Sequence, residues 1–87
     1  MMMCKVTGKV VSTIKNEHLV GTSLVLVRRV GFDAKGKEVM GDEVFVAADP
    51  IGCGTDYKVL VTTGANARFA MNDSSAPVDM VVVGIVD

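Results

Sequence analysis

Seventeen of the 87 residues are valine, and no other feature narrows the folding options of this chain as much. Branching at Cβ restricts χ1 in a helix but packs well on a pleated surface, so the chain is expected to fold mainly as strands. The rest of the apolar inventory is small: no Trp, one Tyr and three Phe in a chain that is 49% apolar and 22% charged. That composition is too apolar for disorder. At 9.2 kDa there is room for one core only, because a chain of this size buries roughly 60 to 65% of its unfolded surface. Every apolar stretch is cut short of the ~18 residues of a membrane span, by Arg28, Arg29, Asp49 or glycine-containing turns. No membrane partner is expected.

The pattern along the chain reads as five strands. From Lys5 to Ile14 the even positions Val6, Gly8, Val10, Ser12 and Ile14 are apolar or small, a period of two. Lys15 to His18 is polar and reads as a connection. Leu19 to Val30 contains Leu24-Val25-Leu26-Val27 without alternation, as in a strand covered on both faces. Asp33-Ala34-Lys35-Gly36-Lys37 has turn chemistry, so Gly31 to Asp42 is expected to be a hairpin loop. Glu43 to Ala48 is a short third strand, ended by Asp49-Pro50. Gly52-Cys53-Gly54 makes a tight connection to a fourth strand, Tyr57 to Thr63. Ala65 to Met71 is the one stretch of helical composition, too short to be stable without packing on the sheet. Asn72 to Pro77 is a polar loop, and Val78 to Val86 a nearly all-apolar fifth strand. The expected fold is all-β: a small five-stranded OB-like antiparallel barrel in one domain, residues 1–87, with one short helix before the last strand, since closure removes sticky edges. The last strand and Leu24–Val27 are apolar on both faces. Either the helix and long loop cover the surplus, or another copy of the chain does.

Catalytic chemistry finds no footing. His18 is the one histidine and stands in a polar connection, so no nucleophile–base arrangement is available. Cys4, Cys53 and His18 have no metal-ligand spacing. Asp42 and Glu43 are adjacent, so in a strand they point to opposite faces. Gly52-x-Gly54 has Tyr57 where a dinucleotide fingerprint needs its third glycine. No catalytic residue, cofactor or metal is assigned. Nine Lys and Arg against ten Asp and Glu give a net charge of −1, no footprint for a phosphate backbone, and nucleic acid is not an expected partner. The Met1-Met2-Met3-Cys4 start has no apolar stretch ahead of the cysteine, so neither a signal peptide nor a lipid anchor is expected. The cytoplasm is the expected location, with both cysteines as free thiols.

Six segments in order carry a resemblance: Val10-Val11-Ser12-Thr13, Leu19-x-Gly21, Asp49-Pro50-Ile51-Gly52-Cys53-Gly54-Thr55, Val59-Leu60-Val61, Gly64-Ala65-Asn66-Ala67-Arg68 and Pro77 through Asp87. Together they resemble the pentameric vertex proteins of bacterial microcompartment shells, the family of ethanolamine, propanediol and carboxysome vertex proteins. The resemblance implies a non-enzymatic subunit with an OB-like barrel, forming a cyclic homopentamer that caps the fivefold vertices of a polyhedral shell. The partners it implies are hexameric shell proteins of the same microcompartment. The alternative from another class is a small OB-type binding module for single-stranded nucleic acid or peptide.

The resemblance also implies candidate site residues. Gly52, Cys53 and Gly54 correspond to a Gly-Ala-Gly loop near the fivefold axis, a candidate pore lining, with an ordinary tight turn as the other reading. Arg68 and Asp79 are candidate subunit-interface residues; Arg68 either bridges subunits or binds a carboxylate in its own chain. If residues 52–54 ring an axis, five Cys53 thiols would meet there and could bind a soft metal or form intersubunit disulfides. Otherwise Cys53 simply fills the space of the family's alanine.

Overall fold

The computed structural model describes residues 1–10, 22–70 and 79–87. Its five strands are β1 (Met2–Lys9), β2 (Ser23–Phe32), β3 (Glu38–Asp49), β4 (Lys58–Thr63) and β5 (Met80–Ile85), with one short helix, α1 (Ala65–Ala70), between β4 and β5. They close into a barrel in the order β1-β2-β3-β5-β4. The all-β barrel and its helix follow the sequence expectation. The ladders are antiparallel except at the seam, where β3 and β5 run parallel and pair at Ala48↔Val81. β4 and α1 carry the chain across, so β5 returns in the direction of β3.

Period two places the core. Cys4 and Val6 of β1, Val25 and Val27 of β2, Ala47 of β3, Val59 and Val61 of β4 and Val82 of β5 form one buried cluster with Cys53. Among the described residues, no fully buried side chain is larger than valine. Closure around so narrow a bore leaves room for small branched residues and little else. A second, smaller cluster of Ala48, Ala67 and Val81 packs α1 against the seam. That packing holds a helix of under two turns, which could not persist alone.

Three expectations along the chain are revised. β1 starts at Met2 rather than Lys5, because Met2 and Met3 pair with Val61 and Leu60 of β4. Leu24–Val27 does alternate: Val25 and Val27 are buried while Leu24 and Leu26 are half-exposed. Gly31–Asp42 is not a loop. β2 and β3 continue as a ribbon through Gly31↔Val39 and Phe32↔Glu38, and only residues 33–37 form the turn. There the Asp33 carboxylate accepts the Lys35 and Lys37 amides, both at 2.9 Å. Gly36 adopts φ +77°, a left-handed conformation that suits glycine. The ribbon bends at a bulge between Arg28↔Val44 and Val30↔Met40. Arg28 fills the bend by donating Nε–H to the Gly41 carbonyl at 2.7 Å. At the far end Glu38 forms an ion pair with Lys58 of β4.

His18, the ends of the strands expected over Lys5–Ile14 and Leu19–Val30, Met71, the loop Asn72–Pro77 and Val78 lie outside the described residues.

Candidate functional site

The segment that follows β3 is built around one carboxylate. Asp49 ends the strand 4% exposed. Its Oδ1 accepts the amides of Ile51 and Gly52, both at 3.0 Å, and its Oδ2 accepts the Cys53 amide at 2.7 Å. Three successive N–H groups therefore converge on one side chain, a closed form of the Asx turn. Pro50, lacking an N–H, sits at the one position of the turn that has no donor to satisfy. Gly52 has φ +92°, which costs a β-carbon-free residue little. A Cβ on Gly54 would stand 3.2 Å from the Tyr57 ring, so ring and backbone are in close contact there. Asp56, at φ 71°, donates its amide to the Val6 carbonyl at 2.7 Å, and Val6 donates back to the Tyr57 carbonyl at 2.9 Å. The loop is thereby stitched to β1 at one end and to Asp49 at the other.

Of the candidate pore-lining residues, Gly52 is exposed, Gly54 is half-buried and Cys53 is fully buried. The Cys53 side chain belongs to the barrel core with Val6, Val25 and Val61. Burial raises its thiol pKa above the usual value, and the Asp49 carboxylate, by its charge and by accepting the thiol hydrogen, pushes it the same way. Cys4 is also raised, by burial, with Arg29 opposing. Both thiols are free and inside. Within its own subunit, Cys53 occupies alanine-like space in the barrel core. Ile51, not Cys53, is the side chain this loop presents, at 46% exposure.

Arg68 is placed on α1, and Asp79 just ahead of β5. The Gly64 amide donates to the Asp79 carbonyl at 2.9 Å, tying the entry of the helix to the entry of β5. Sequence reasoning passed over Asp49, treating Asp49-Pro50 only as a strand stop. The signal was present: an Asp before Pro-x-Gly, at the end of an apolar strand, has several unpaired amides within reach.

The outer wall carries the apolar surplus. Val44 and Val46 of β3 are 52% and 53% exposed, and their partners across the ladder are Arg28 and Leu26 of β2. Tyr57 and Ile85 line a shallow groove with Asp56, Lys58, Val86 and Asp87.

Comparison with known proteins gives this geometry a context. The family described as ethanolamine utilisation protein EutN/carboxysome matches residues 1–87. The bacterial microcompartment shell vertex protein PduN of Salmonella typhimurium is 43% identical over 89 residues, covering 100% of this chain and 96% of that protein. Among solved structures, the GrpN pentameric microcompartment shell protein from Rhodospirillum rubrum superposes with a TM-score of 0.81 at 40% identity, covering 100% of this chain and 94% of the other. CcmL of Nostoc gives a TM-score of 0.83 at 39% identity, with 100% and 89% covered. Matched from end to end in both sequence and fold, the chain belongs to the EutN/CcmL family.

Proposed function

We propose that this protein is the vertex subunit of a bacterial microcompartment shell: five copies form a cyclic ring, and the ring caps a fivefold vertex of the polyhedron. The observation that carries the reading is the likeness, over the whole chain, to a pentameric shell protein. The role is structural, as it is for the relatives named shell vertex proteins. Flat hexagonal tiling does not close in three dimensions, and a five-membered unit inserted among hexamers supplies the missing curvature. The partners are therefore four further copies of this chain and the hexameric shell proteins of the same compartment, all in the cytoplasm. Residues 1–87 act as one vertex domain. No observation favours the small binding-module alternative.

In this reading the loop at Gly52, Cys53 and Gly54 stands near the ring axis, where glycine lets backbones approach closely. Its lining is backbone and the Ile51 side chain, with the thiol turned away. Arg68 and Asp79 contribute to contacts between neighbouring subunits. The experiment is co-assembly with the hexameric shell proteins, viewed by electron microscopy. Closed polyhedra with the chain and open sheets or tubes without it are expected. Closed shells that form equally well in its absence, or that exclude it, would contradict the reading.

A further inference from the structure

Beyond the bulge between Arg28 and Val30 the β2–β3 ribbon leaves the ladders of the barrel. Val30 to Phe32 and Glu38 to Met40 pair only with each other among the described residues, and Phe32 and Val39 are exposed. A bulge bends a ribbon and disrupts its ladder locally, and this one sets Gly41, Asp42 and Glu43 of β3 against Arg29 alone. The root of the ribbon is fastened by Arg28, which donates Nε–H to the Gly41 carbonyl at 2.7 Å. Its free end is fastened by Glu38, through the ion pair with Lys58. Glu38 is on β3 and Lys58 on β4, strands that are not neighbours in the closed order. The pair therefore reaches from the ribbon to the barrel wall instead of running along a ladder.

The wall gives Lys58 a reason to hold a carboxylate. Lys58 stands directly opposite Lys5 of β1, and Lys5 directly opposite Arg28 of β2. Opposite residues share a face, and with Cys4 and Val6 inside the barrel this row of three cations lies on its outer side. Like charges so placed destabilise a sheet. Glu38 engages Lys58, Asp42 lies 3.9 Å from Arg28, and Lys5 between them has no ionic partner among the described residues. The Lys58 and Glu38 side chains are 39% and 30% exposed, so dissolved ions reach the pair and screen it. Asp56 and Asp87 line the groove beside Lys58, and an ammonium released by Glu38 has them to turn to. Latched and released arrangements thus both leave Lys58 beside a carboxylate, as a two-state element requires.

We infer that the ribbon is a hinged strap, pivoting at the bulge and latched to the barrel wall by Glu38 on Lys58. Both groups belong to one chain, so the strap stands apart from the pentameric reading. Spin labels at Lys35→Cys on the tip and Lys9→Cys on the barrel test it, read as the distribution of distances between them. Labelled chains are diluted in unlabelled ones so that only pairs within a chain are read, and the native thiols, being enclosed, stay unlabelled. At low salt the unaltered latch is expected to give one narrow distance. Salt at about 1 M, where the Debye length falls to about 3 Å, is expected to widen the distribution at least about twofold, as is Glu38→Gln at low salt. The exchange of Glu38→Lys with Lys58→Glu in one chain is expected to restore the narrow distance at low salt. A distribution indifferent to salt and to Glu38→Gln overturns the latch, and so does an exchanged pair that stays as broad as Glu38→Gln. The salt series needs no change at the latch, so it decides the matter even if a variant folds poorly.

Discussion

Asp49 shows how much one side chain can organise. Its carboxylate accepts three amides at once, and Asp49→Ala would leave the buried Cys53 amide without an acceptor and hand the more open Ile51 and Gly52 amides to water. The expected loss is about 1–3 kcal/mol, measured as a fall in the urea midpoint. Asp49→Asn, which keeps one acceptor oxygen, should recover part of it. Cys53 illustrates the opposite lesson, since the family resemblance suggested thiols meeting at an axis, and the fold encloses this one in its own subunit. With its pKa and that of Cys4 raised above the usual 9.0, the fold favours the neutral thiol. The resulting stability is fully present below pH 9 and is lost as pH rises through the folded values. Stability should therefore decline more steeply above pH 9 in the wild type than in a Cys4→Ala, Cys53→Ala variant, and thiol-reactive reagents should label the native protein far more slowly than the unfolded one at pH 8. Equal slopes or equal labelling would mean that the thiols are not enclosed as described.

At the scale of elements, the strands were legible because their inward positions repeat with period two. Val6, Val59 and Val61 are readable as one-face residues from the pattern alone, whereas Val25 and Val27 are not, because Leu24–Val27 is apolar at every position. The ribbon was not, because Gly31, Gly41 and five charged residues between Asp33 and Asp42 look like loop. They are strand nonetheless, since a two-stranded ribbon outside a barrel has no buried face to demand alternation, and its ladder hydrogen bonds suffice. The register β3–β5 was equally hidden: a single parallel bridge at Ala48↔Val81 depends on where α1 delivers the chain, which no local pattern encodes. The tight turn at the ribbon tip depends on the positive φ of Gly36. Gly36→Val should cost about 1–2 kcal/mol and loosen the ribbon, read as faster amide exchange at Phe32 and Glu38. Asp56, the one non-glycine residue at positive φ among the described residues, should accept glycine with little loss, whereas Asp56→Val should cost about 1–2 kcal/mol.

At the scale of the whole molecule, area and core argue together. A compact monomer of 9.2 kDa exposes roughly 4,900 Å², and this one exposes 5466 Å². Among the described residues no fully buried side chain is larger than valine, while Phe32, Val44, Val46, Ile51, Tyr57 and Ile85 stand in solvent. A subunit built this way gains its missing burial from neighbours, so its stability should rise with protein concentration. The apolar surplus was visible in the composition. Which faces carry it was not, because the split between Val25 and Val27 inside and Val44 and Val46 outside depends on barrel closure.

The most direct measurement is the native mass of the purified chain by mass spectrometry or light scattering, at micromolar concentration. A species of about 46 kDa, five times the 9.2 kDa subunit, is the result this account predicts, with ring closure by unlike faces. A folded 9.2 kDa monomer that persists as concentration rises would contradict it.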